Sequence, residues 1–217
     1  MTKQSPPLQV GFDMDGVLLY NPGRIIRPFV SSIKRVFLHK KKLSFYYPKT
    51  THEKLFWRFV HKSSIYNAPG LSEITKLVTE GKIEAYLITA RYNFLGASVL
   101  NWVKKNKLGK TFKGVFYNSK DEQPHEFKER MIKKLKLDIY VEDNFDIVNH
   151  LAQTTPAEIL WIYNVFDRGT VFPQKFPHLK NAIEFIKQKD CHLKLETYNL
   201  QNNKQQSKKL QATSYKL

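Results

Sequence analysis

Five short apolar runs separated by amphipathic segments constrain the fold of this 217-residue chain more than any other feature. Three of these runs, which we predict to be strands, cover Leu8–Phe12, Ile83–Thr89 and Gly114–Tyr117. The last two cover Leu137–Asp143 and Glu158–Tyr163. Continuous apolar runs are typical of strands in parallel sheets that are buried on both faces. The strand–helix alternation therefore predicts an α/β fold, with a parallel sheet of about five strands and helices on both faces.

Two regions interrupt this alternation and divide the chain. Residues 20–68 form an insert after the first strand, and we predict a small, basic, partly helical cap. Residues 189–217 are rich in Gln, Asn and Lys and show no apolar face, so they are predicted to be a disordered tail. Residues 1–19 and 69–188 would then make up the core domain.

The net charge of +17 predicts anionic partners. More than half of this excess lies in the insert, where eleven basic residues stand against one acid, Glu53. Nucleic acid, phosphorylated small molecules or an acidic membrane surface are the partners that this charge favours. A basic chain without any such partner is the alternative, because many proteins are simply basic.

The sequence favours a cytoplasmic location without a membrane partner. No apolar run approaches the roughly 20 residues needed to cross a bilayer. The first twelve residues lack the apolar region of a signal peptide. Cys191 is the only cysteine, so an internal disulfide is excluded and a reducing compartment is expected.

Polar groups follow three of the predicted strands. These groups are Asp13–Asp15, Thr89–Arg91 and Glu142–Asn144. Because the carboxyl ends of parallel strands meet at one edge of a sheet, these side chains are expected to face one crevice. Converging carboxylates repel one another unless a cation lies between them, and oxygen ligands suit Mg²⁺. A simple turn at Asp15 and Gly16, with Asp13 as a cap, is the alternative.

Spacing excludes two other interpretations of these polar motifs. A calcium-binding loop that began at Asp13 would need an acid at its fifth position and glutamate at its twelfth, where Val17 and Arg24 stand. A Walker A loop ending in Gly109-Lys110-Thr111 would need an earlier glycine where Lys104 stands. Neither loop fits this chain.

Four motifs in order, between Val10 and about Ile186, resemble the haloacid dehalogenase-like (HAD) superfamily of phosphohydrolases. They are "VGFDMDGVL", "YLITAR", a lysine at Lys128 in the helix before the fourth strand, and "IYVEDN". The insert and the tail lie outside the resemblance. The resemblance implies a Rossmann-like fold with a small cap inserted after the first strand, and phosphatase activity through an aspartyl-phosphate.

The resemblance also implies roles for individual residues. Asp13 would be the nucleophile, Asp15 the general acid and base, and Lys128 the cation that neutralises them and the phosphate. Mg²⁺ would be held by Asp13, by the backbone carbonyl of Asp15 and by Asp143. Substrate would contact a further set of residues: Thr89, Ala90 or Met14 through its backbone amide, Arg91, Asn164 and Arg168.

Some of these assignments carry alternatives. The fourth motif reads Glu142-Asp143 where relatives commonly have two aspartates, so Glu142 or Asp146 could act on the metal through water. Asp143 could also cap the helix that follows it. Lys120 is a rival to Lys128, although it lies in a predicted loop. Arg91 could form a structural ion pair instead of a substrate contact.

The leading hypothesis is a Mg²⁺-dependent phosphatase for a nucleotide or another small phosphorylated metabolite, with closest resemblance to a nucleotidase-like branch. The alternatives are a basic nucleic-acid-binding protein on the same fold, and a phosphatase that acts on nucleic-acid ends. Aromatic residues among the bases of the insert could stack on a nucleobase or form the insert's own small core. They are Phe45, Tyr46, Tyr47, Phe56 and Trp57.

Overall fold

The computed structural model describes residues 6–20, 45–62 and 66–192. Residues 21–44 and 63–65, which belong to the predicted cap, lie outside the described residues, as does the predicted tail from residue 193 onward. Residues 189–192 continue a helix that begins at residue 179, four residues past the predicted start of the tail.

A six-stranded parallel sheet forms the centre of the molecule. The described residues form eight strands, of which β2 and β3 make a separate ribbon. In chain order they are β1 (Leu8–Phe12), β2 (Leu19–Tyr20), β3 (Tyr66–Asn67), β4 (Ile83–Tyr92), β5 (Phe112–Asn118), β6 (Ile139–Glu142), β7 (Glu158–Ile162) and β8 (Lys175–Phe176). The order across the sheet is β5-β4-β1-β6-β7-β8, and every neighbouring pair is parallel. The α/β prediction is confirmed, with the two-residue β8 as a sixth strand beyond the five expected.

Helices cover both faces of this sheet. They are α1 (Thr51–Lys62), α2 (Leu71–Thr79), α3 (Gly96–Lys105), α4 (Pro124–Leu135), α5 (Phe145–Thr154) and α6 (179–192). Buried residues of α2, α3 and α6 pack on one face, and those of α4 and α5 pack on the other. Alternate residues of β4 enter the two cores, Ala85 and Leu87 on one side and Tyr86 and Ile88 on the other, as the period of a strand requires. None of the helices described here is long and apolar enough to span a bilayer.

The two ends of the insert lie side by side. β2 and β3 form an antiparallel ribbon in which Leu19 pairs with Asn67 and Tyr20 with Tyr66. The amide of Ala68 also donates to the carbonyl of Leu18 at 2.9 Å. The chain therefore leaves the core after β1 and returns to it at nearly the same point.

Candidate active site

The central position of β1 places Asp13 at the middle of the carboxyl edge of the sheet. Phe12 pairs with Leu87 of β4 and with Val141 of β6. The amide of Asp13 continues this ladder by donating to the carbonyl of Val141 at 3.0 Å. The Asp13 side chain is buried, with only 5% of the residue exposed. A carboxylate is thus held where ligands bind in parallel sheets of this kind.

A tight turn follows Asp13, and it requires a glycine. Leu18 and Leu19 both donate their amides to the carbonyl of Met14. Gly16 has a φ of +86°, and a Cβ at this position would lie 2.1 Å from Oδ2 of Asp143. Glycine therefore allows the left-handed backbone and lets the Asp143 carboxylate pack directly against the turn.

Lys128 of α4 contacts Asp13, the candidate nucleophile. Its Nζ lies 3.1 Å from Oδ2 of Asp13 and 2.6 Å from Oε2 of Glu142, and 2% of its side chain is exposed. Burial by itself would lower the pKa of Lys128, but the carboxylates of Asp13 and Glu142 outweigh it and raise the pKa. Lys120, the rival in the sequence, is exposed in the turn after β5.

Three buried carboxylates meet beside this lysine. Ligand oxygens of Asp13, Glu142 and Asp143 all lie within 4.8 Å of one another. The ammonium of Lys128 contacts two of them, Asp13 and Glu142. Burial is the largest cause that raises the pKa of Asp13 well above its ordinary value, and the neighbouring carboxylates raise it further. Such a set of oxygen donors fits a hard divalent cation.

Glu142 fixes the neighbouring groups in place. Its Oε1 accepts the amides of Asp143 at 3.2 Å and of Asn144 at 3.0 Å, while its Oε2 holds Lys128. The backbone carbonyl of Asp143 in turn accepts Nε1 of Trp161 at 3.2 Å. Glu142 is thus one of the three clustered carboxylates, and its contacts orient Lys128 and the backbone at Asp143.

The cap of α5 is Asn144, so the interpretation of Asp143 as that cap is wrong. The Asn144 side chain accepts the amide of Asp146 at 3.1 Å. A helix has one N-cap, and Asn144 fills it with non-helical backbone and a side-chain acceptor. The Asp143 carboxylate points to the β1 turn instead. Asp146 lies in the first turn of α5, three residues after Asp143 in the sequence.

Asp15 has a different set of neighbours. Arg91 donates Nε to Oδ2 of Asp15 at 2.7 Å and Nη2 to Oδ1 at 2.6 Å. His61 of α1 lies near the same carboxyl, with Nδ1 3.6 Å from Oδ2 of Asp15. Burial would raise the pKa of Asp15, but the Arg91 guanidinium outweighs it and holds the pKa well below the usual range. A two-point ion pair therefore fixes the Asp15 carboxyl against Arg91.

β4 supplies the remaining groups at this edge. It continues three residues past the predicted end at Thr89, so that Thr89, Ala90 and Arg91 all belong to the strand. The Thr89 hydroxyl is buried and accepts the Arg91 amide at 3.3 Å. An oxygen that accepts in this way can still donate its own proton to a phosphoryl oxygen. Ala90 is half-buried beside it.

Asn164 and Arg168 flank a short 3₁₀ turn after β7. Asn164 precedes the turn Val165–Asp167, and the backbone carbonyl of Arg168 accepts Nζ of Lys175 at 2.6 Å. This loop follows the strand two places away from β1 in the sheet. The substrate contacts predicted for both residues stay predictions.

Two residues of this site had no signal in the sequence. His61 is one of seven scattered histidines, and only the position of α1 in the folded chain brings it to Asp15. Ser98 accepts Nη1 of Arg91 at 3.1 Å from the first turn of α3. This contact depends on the continuation of β4 past Thr89, which an apolar pattern that ends at Thr89 does not predict.

No family model and no curated protein sequence matches this chain. Solved structures do match it. A protein named as a phosphoglycolate phosphatase from Lactobacillus delbrueckii has a TM-score of 0.56 at 12% identity, over 84% of this chain and 99% of its own. A HAD hydrolase from Bacillus subtilis, bound to magnesium, has a TM-score of 0.54 at 11% identity, over 84% of this chain and 100% of its own.

A third solved structure gives the same result. The HAD hydrolase of family IA, variant 3, from Entamoeba histolytica has a TM-score of 0.53 at 14% identity, over 83% of this chain and 99% of its own. At such low identities the similarity shows the fold. The chain therefore has the HAD-like α/β fold that its four motifs predict.

Proposed function

We propose that this chain is a Mg²⁺-dependent phosphatase that hydrolyses a phosphate monoester through an aspartyl-phosphate on Asp13. The observation that carries this proposal is the surroundings of Asp13 at the end of β1. There its carboxylate contacts buried Lys128 at 3.1 Å and lies within 4.8 Å of ligand oxygens of Glu142 and Asp143. The HAD-like fold and the names of the matching structures also support it.

The first half-reaction uses the two aspartates that follow β1. In the reactive form Asp15 is protonated, although Arg91 favours its carboxylate. A carboxylate oxygen of Asp13 attacks phosphorus, the bond from phosphorus to the leaving oxygen breaks, and the Asp15 carboxyl passes its proton to that oxygen. An anion that approaches a phosphate at about 4 Å faces roughly 4 kcal/mol per charge pair at an effective dielectric near 20. The ammonium of Lys128 offsets part of this repulsion from a position that it already occupies.

The carboxylate cluster fits Mg²⁺ as the second source of positive charge. Asp13 and Asp143 would hold the ion together with the backbone carbonyl of Asp15, and the bound ion would supply charge neutralisation for the phosphoryl group. The Bacillus subtilis structure is a HAD hydrolase bound to magnesium, which supports this choice of metal.

The second half-reaction releases phosphate. Water attacks phosphorus, gives a proton to the Asp15 carboxylate, and the bond from phosphorus to the Asp13 oxygen breaks. The Thr89 hydroxyl and the Ala90 amide are placed on β4 to donate to phosphoryl oxygens. Asp13 and Asp15 are then restored as they began.

The proposed substrate is a small phosphorylated molecule, and a nucleotide is the first choice. A nucleotide substrate would assign the chain to the nucleotidase-like branch of the superfamily. The net charge of +17 favours phosphorylated nucleic-acid ends as a further substrate. Of the insert's aromatic residues, Tyr46 and Phe56 are more than half exposed. Exposed rings can stack on bases.

The test is hydrolysis of p-nitrophenyl phosphate with Mg²⁺, before and after EDTA, by the wild type and by Asp13→Asn. We expect turnover by the wild type, loss with EDTA, and a loss of at least about 10⁴-fold in Asp13→Asn, because the nucleophile is gone. Asp138→Asn is the matched control. Asp138 lies just before β6 at the opposite edge of the sheet, where its Oδ2 accepts the amide of Gln9 at 2.7 Å, and we expect it to keep full activity.

Two outcomes would count against the proposal. Pure wild-type protein that turns over no phosphate ester in excess Mg²⁺ would refute it. Salt-dependent binding of RNA or DNA that is the same in wild type and Asp13→Asn, without any turnover, would favour the nucleic-acid-binding alternative. A panel of nucleotides, sugar phosphates and 3′- or 5′-phosphorylated oligonucleotides would separate the substrate classes.

A further inference from the structure

Arg91 forms the most extensive side-chain pairing at the site, and the phosphatase chemistry above leaves it without a role. Its guanidinium is 4% exposed and meets Asp15 edge to edge, Nε on Oδ2 and Nη2 on Oδ1. Two parallel hydrogen bonds fix the plane of a carboxylate, which a single contact would leave free to rotate.

The remaining edge of the guanidinium is fixed to the backbone. Nη1 donates to Oγ of Ser98 at 3.1 Å, and that hydroxyl donates to the carbonyl of Leu95 at 2.6 Å. Ser98 lies in the first turn of α3, and Leu95 ends the 3₁₀ turn before it. The orientation of Asp15 is therefore tied through Arg91 to the main chain after β4.

The geometry points to Arg91 as a positioning residue that acts through Asp15, and this inference rests on the proposed phosphatase. Arg91 holds the Asp15 carboxyl at the angle from which it exchanges a proton with the leaving oxygen. Three of its five N–H groups already donate to Asp15 and Ser98, so its orientation is set by these two side chains rather than by the phosphoryl group. This replaces the substrate contact that the sequence suggested for Arg91.

The leaving group of the ester separates the two roles. p-Nitrophenolate departs without a proton, whereas the alkoxide of an alkyl phosphate needs one from the general acid. The value of kcat/KM reports only the steps up to departure of the leaving group, so it isolates this proton transfer. A residue that positions the acid affects alkyl esters far more than the nitrophenyl ester.

The experiment measures kcat/KM of full-length wild type, Arg91→Gln and Asp15→Asn on p-nitrophenyl phosphate and ethyl phosphate with Mg²⁺. For Arg91→Gln we expect a loss of about 100-fold on ethyl phosphate and less than about tenfold on p-nitrophenyl phosphate. Inhibition by inorganic phosphate should be unchanged, since the phosphoryl site is intact. In the Asp15→Asn background, Arg91→Gln should add less than about threefold on ethyl phosphate, since both changes remove one function.

Two further variants keep the result interpretable. Arg130 forms the same two-point pair with Glu122 on the surface, at 3.0 and 2.6 Å, so Arg130→Gln is the matched control and should leave both esters unaffected. Ser98→Ala removes only the outer contact of Arg91. It should give a smaller loss with the same preference for ethyl phosphate, which tests the inference even if Arg91→Gln does not fold.

The outcomes are distinct. Equal losses on both esters, or weaker inhibition by inorganic phosphate in Arg91→Gln, would overturn the inference and leave the proposed phosphatase standing. Multiplicative losses in the double variant would overturn it as well. Absence of turnover by the wild type on both esters would refute the proposed function, and this inference with it.

Discussion

Asp13 and Asp15 follow β1 and lie two residues apart in the sequence, but their surroundings on the two sides of that strand are opposite. On the β6 side, formed by Lys128, Glu142 and Asp143, three carboxyl groups including that of Asp13 lie close together, and Lys128 contacts Asp13 and Glu142. On the β4 side, formed by Arg91, Ser98 and His61, one guanidinium matches the single carboxylate of Asp15. Accordingly the pKa of Asp13 is raised, chiefly by burial, while Arg91 outweighs burial and lowers the pKa of Asp15.

This difference indicates which side needs another cation. Buried carboxylates that cluster together are costly unless positive charge is added, whereas Asp15 is already paired with a guanidinium. The β6 side is therefore the expected place for a divalent ion. Each prediction below changes one side and compares it with the other.

The largest effect is expected from Lys128→Met. The change removes the ammonium that contacts Asp13 and Glu142, so that ammonium no longer offsets the repulsion between Asp13 and an incoming phosphate. We expect kcat/KM for p-nitrophenyl phosphate to fall by about 10³-fold. Lys134→Met, an exposed change on the same helix, is the control and should retain activity. More than a tenth of wild-type activity in Lys128→Met would argue that the β6 side is not the reacting centre.

Addition of Mg²⁺ should stabilise the protein through the β6 side alone. At a concentration a hundred times its dissociation constant, the ion should raise the free energy of unfolding by about 2.7 kcal/mol. Urea denaturation with and without MgCl₂ measures this increase. We expect it in the wild type and in Arg91→Gln, and its loss in Asp143→Asn. A response lost equally in both variants would erase the distinction between the sides.

Gly16→Ala should disturb the same side from the turn of β1. The new Cβ would lie 2.1 Å from the Asp143 carboxylate, and the φ of +86° adds backbone strain. We expect a loss of roughly 2 kcal/mol in unfolding free energy together with a weaker Mg²⁺ response. Gly81→Ala is the control, because Gly81 has a φ of +66° but open space around it, and it should cost about 1 kcal/mol with a normal response to the ion. Equal Mg²⁺ responses in the two variants would show that Asp143 does not need the glycine.

The smallest effect is expected from Asn144→Ala at the start of α5. The change removes the side-chain acceptor of the Asp146 amide and should lower the free energy of unfolding by about 1 kcal/mol. Thermal or urea denaturation measures it. Asn149→Ala, in the middle of the same helix, is the comparison and should have little effect. A Mg²⁺ response as weak as that of Asp143→Asn would instead assign Asn144 to the ion site.

The sequence predicted the convergence of Asp13 and Asp143 for a physical reason. The carboxyl edge of a parallel sheet collects whatever follows its strands, so these two carboxyl groups were expected to face one crevice. Lys128 could be preferred to Lys120 because it lies on a helix next to β6. The sequence could not distinguish Asp143 from Asn144 as the cap of α5, because both side chains suit that position.

The β4 side was harder to predict because its contacts depend on where a strand ends. The apolar pattern stops at Thr89, yet the backbone ladder carries β4 to Tyr92 and so places Arg91 opposite Asp15. His61 arrives from the insert, across a separation of 46 residues from Asp15 that no local pattern describes. Side chains brought together by packing alone leave no periodic signal in the sequence.

The most direct test of the central claim is to trap the covalent intermediate on Asp13. Wild-type protein is mixed with a phosphate ester and Mg²⁺, quenched in acid and analysed by peptide mass spectrometry. The account predicts one added phosphoryl group on the peptide that contains Asp13, removed by hydroxylamine and absent from Asp13→Asn. Turnover of the ester with the phosphoryl group on another residue, or unchanged turnover by Asp13→Asn, would contradict it.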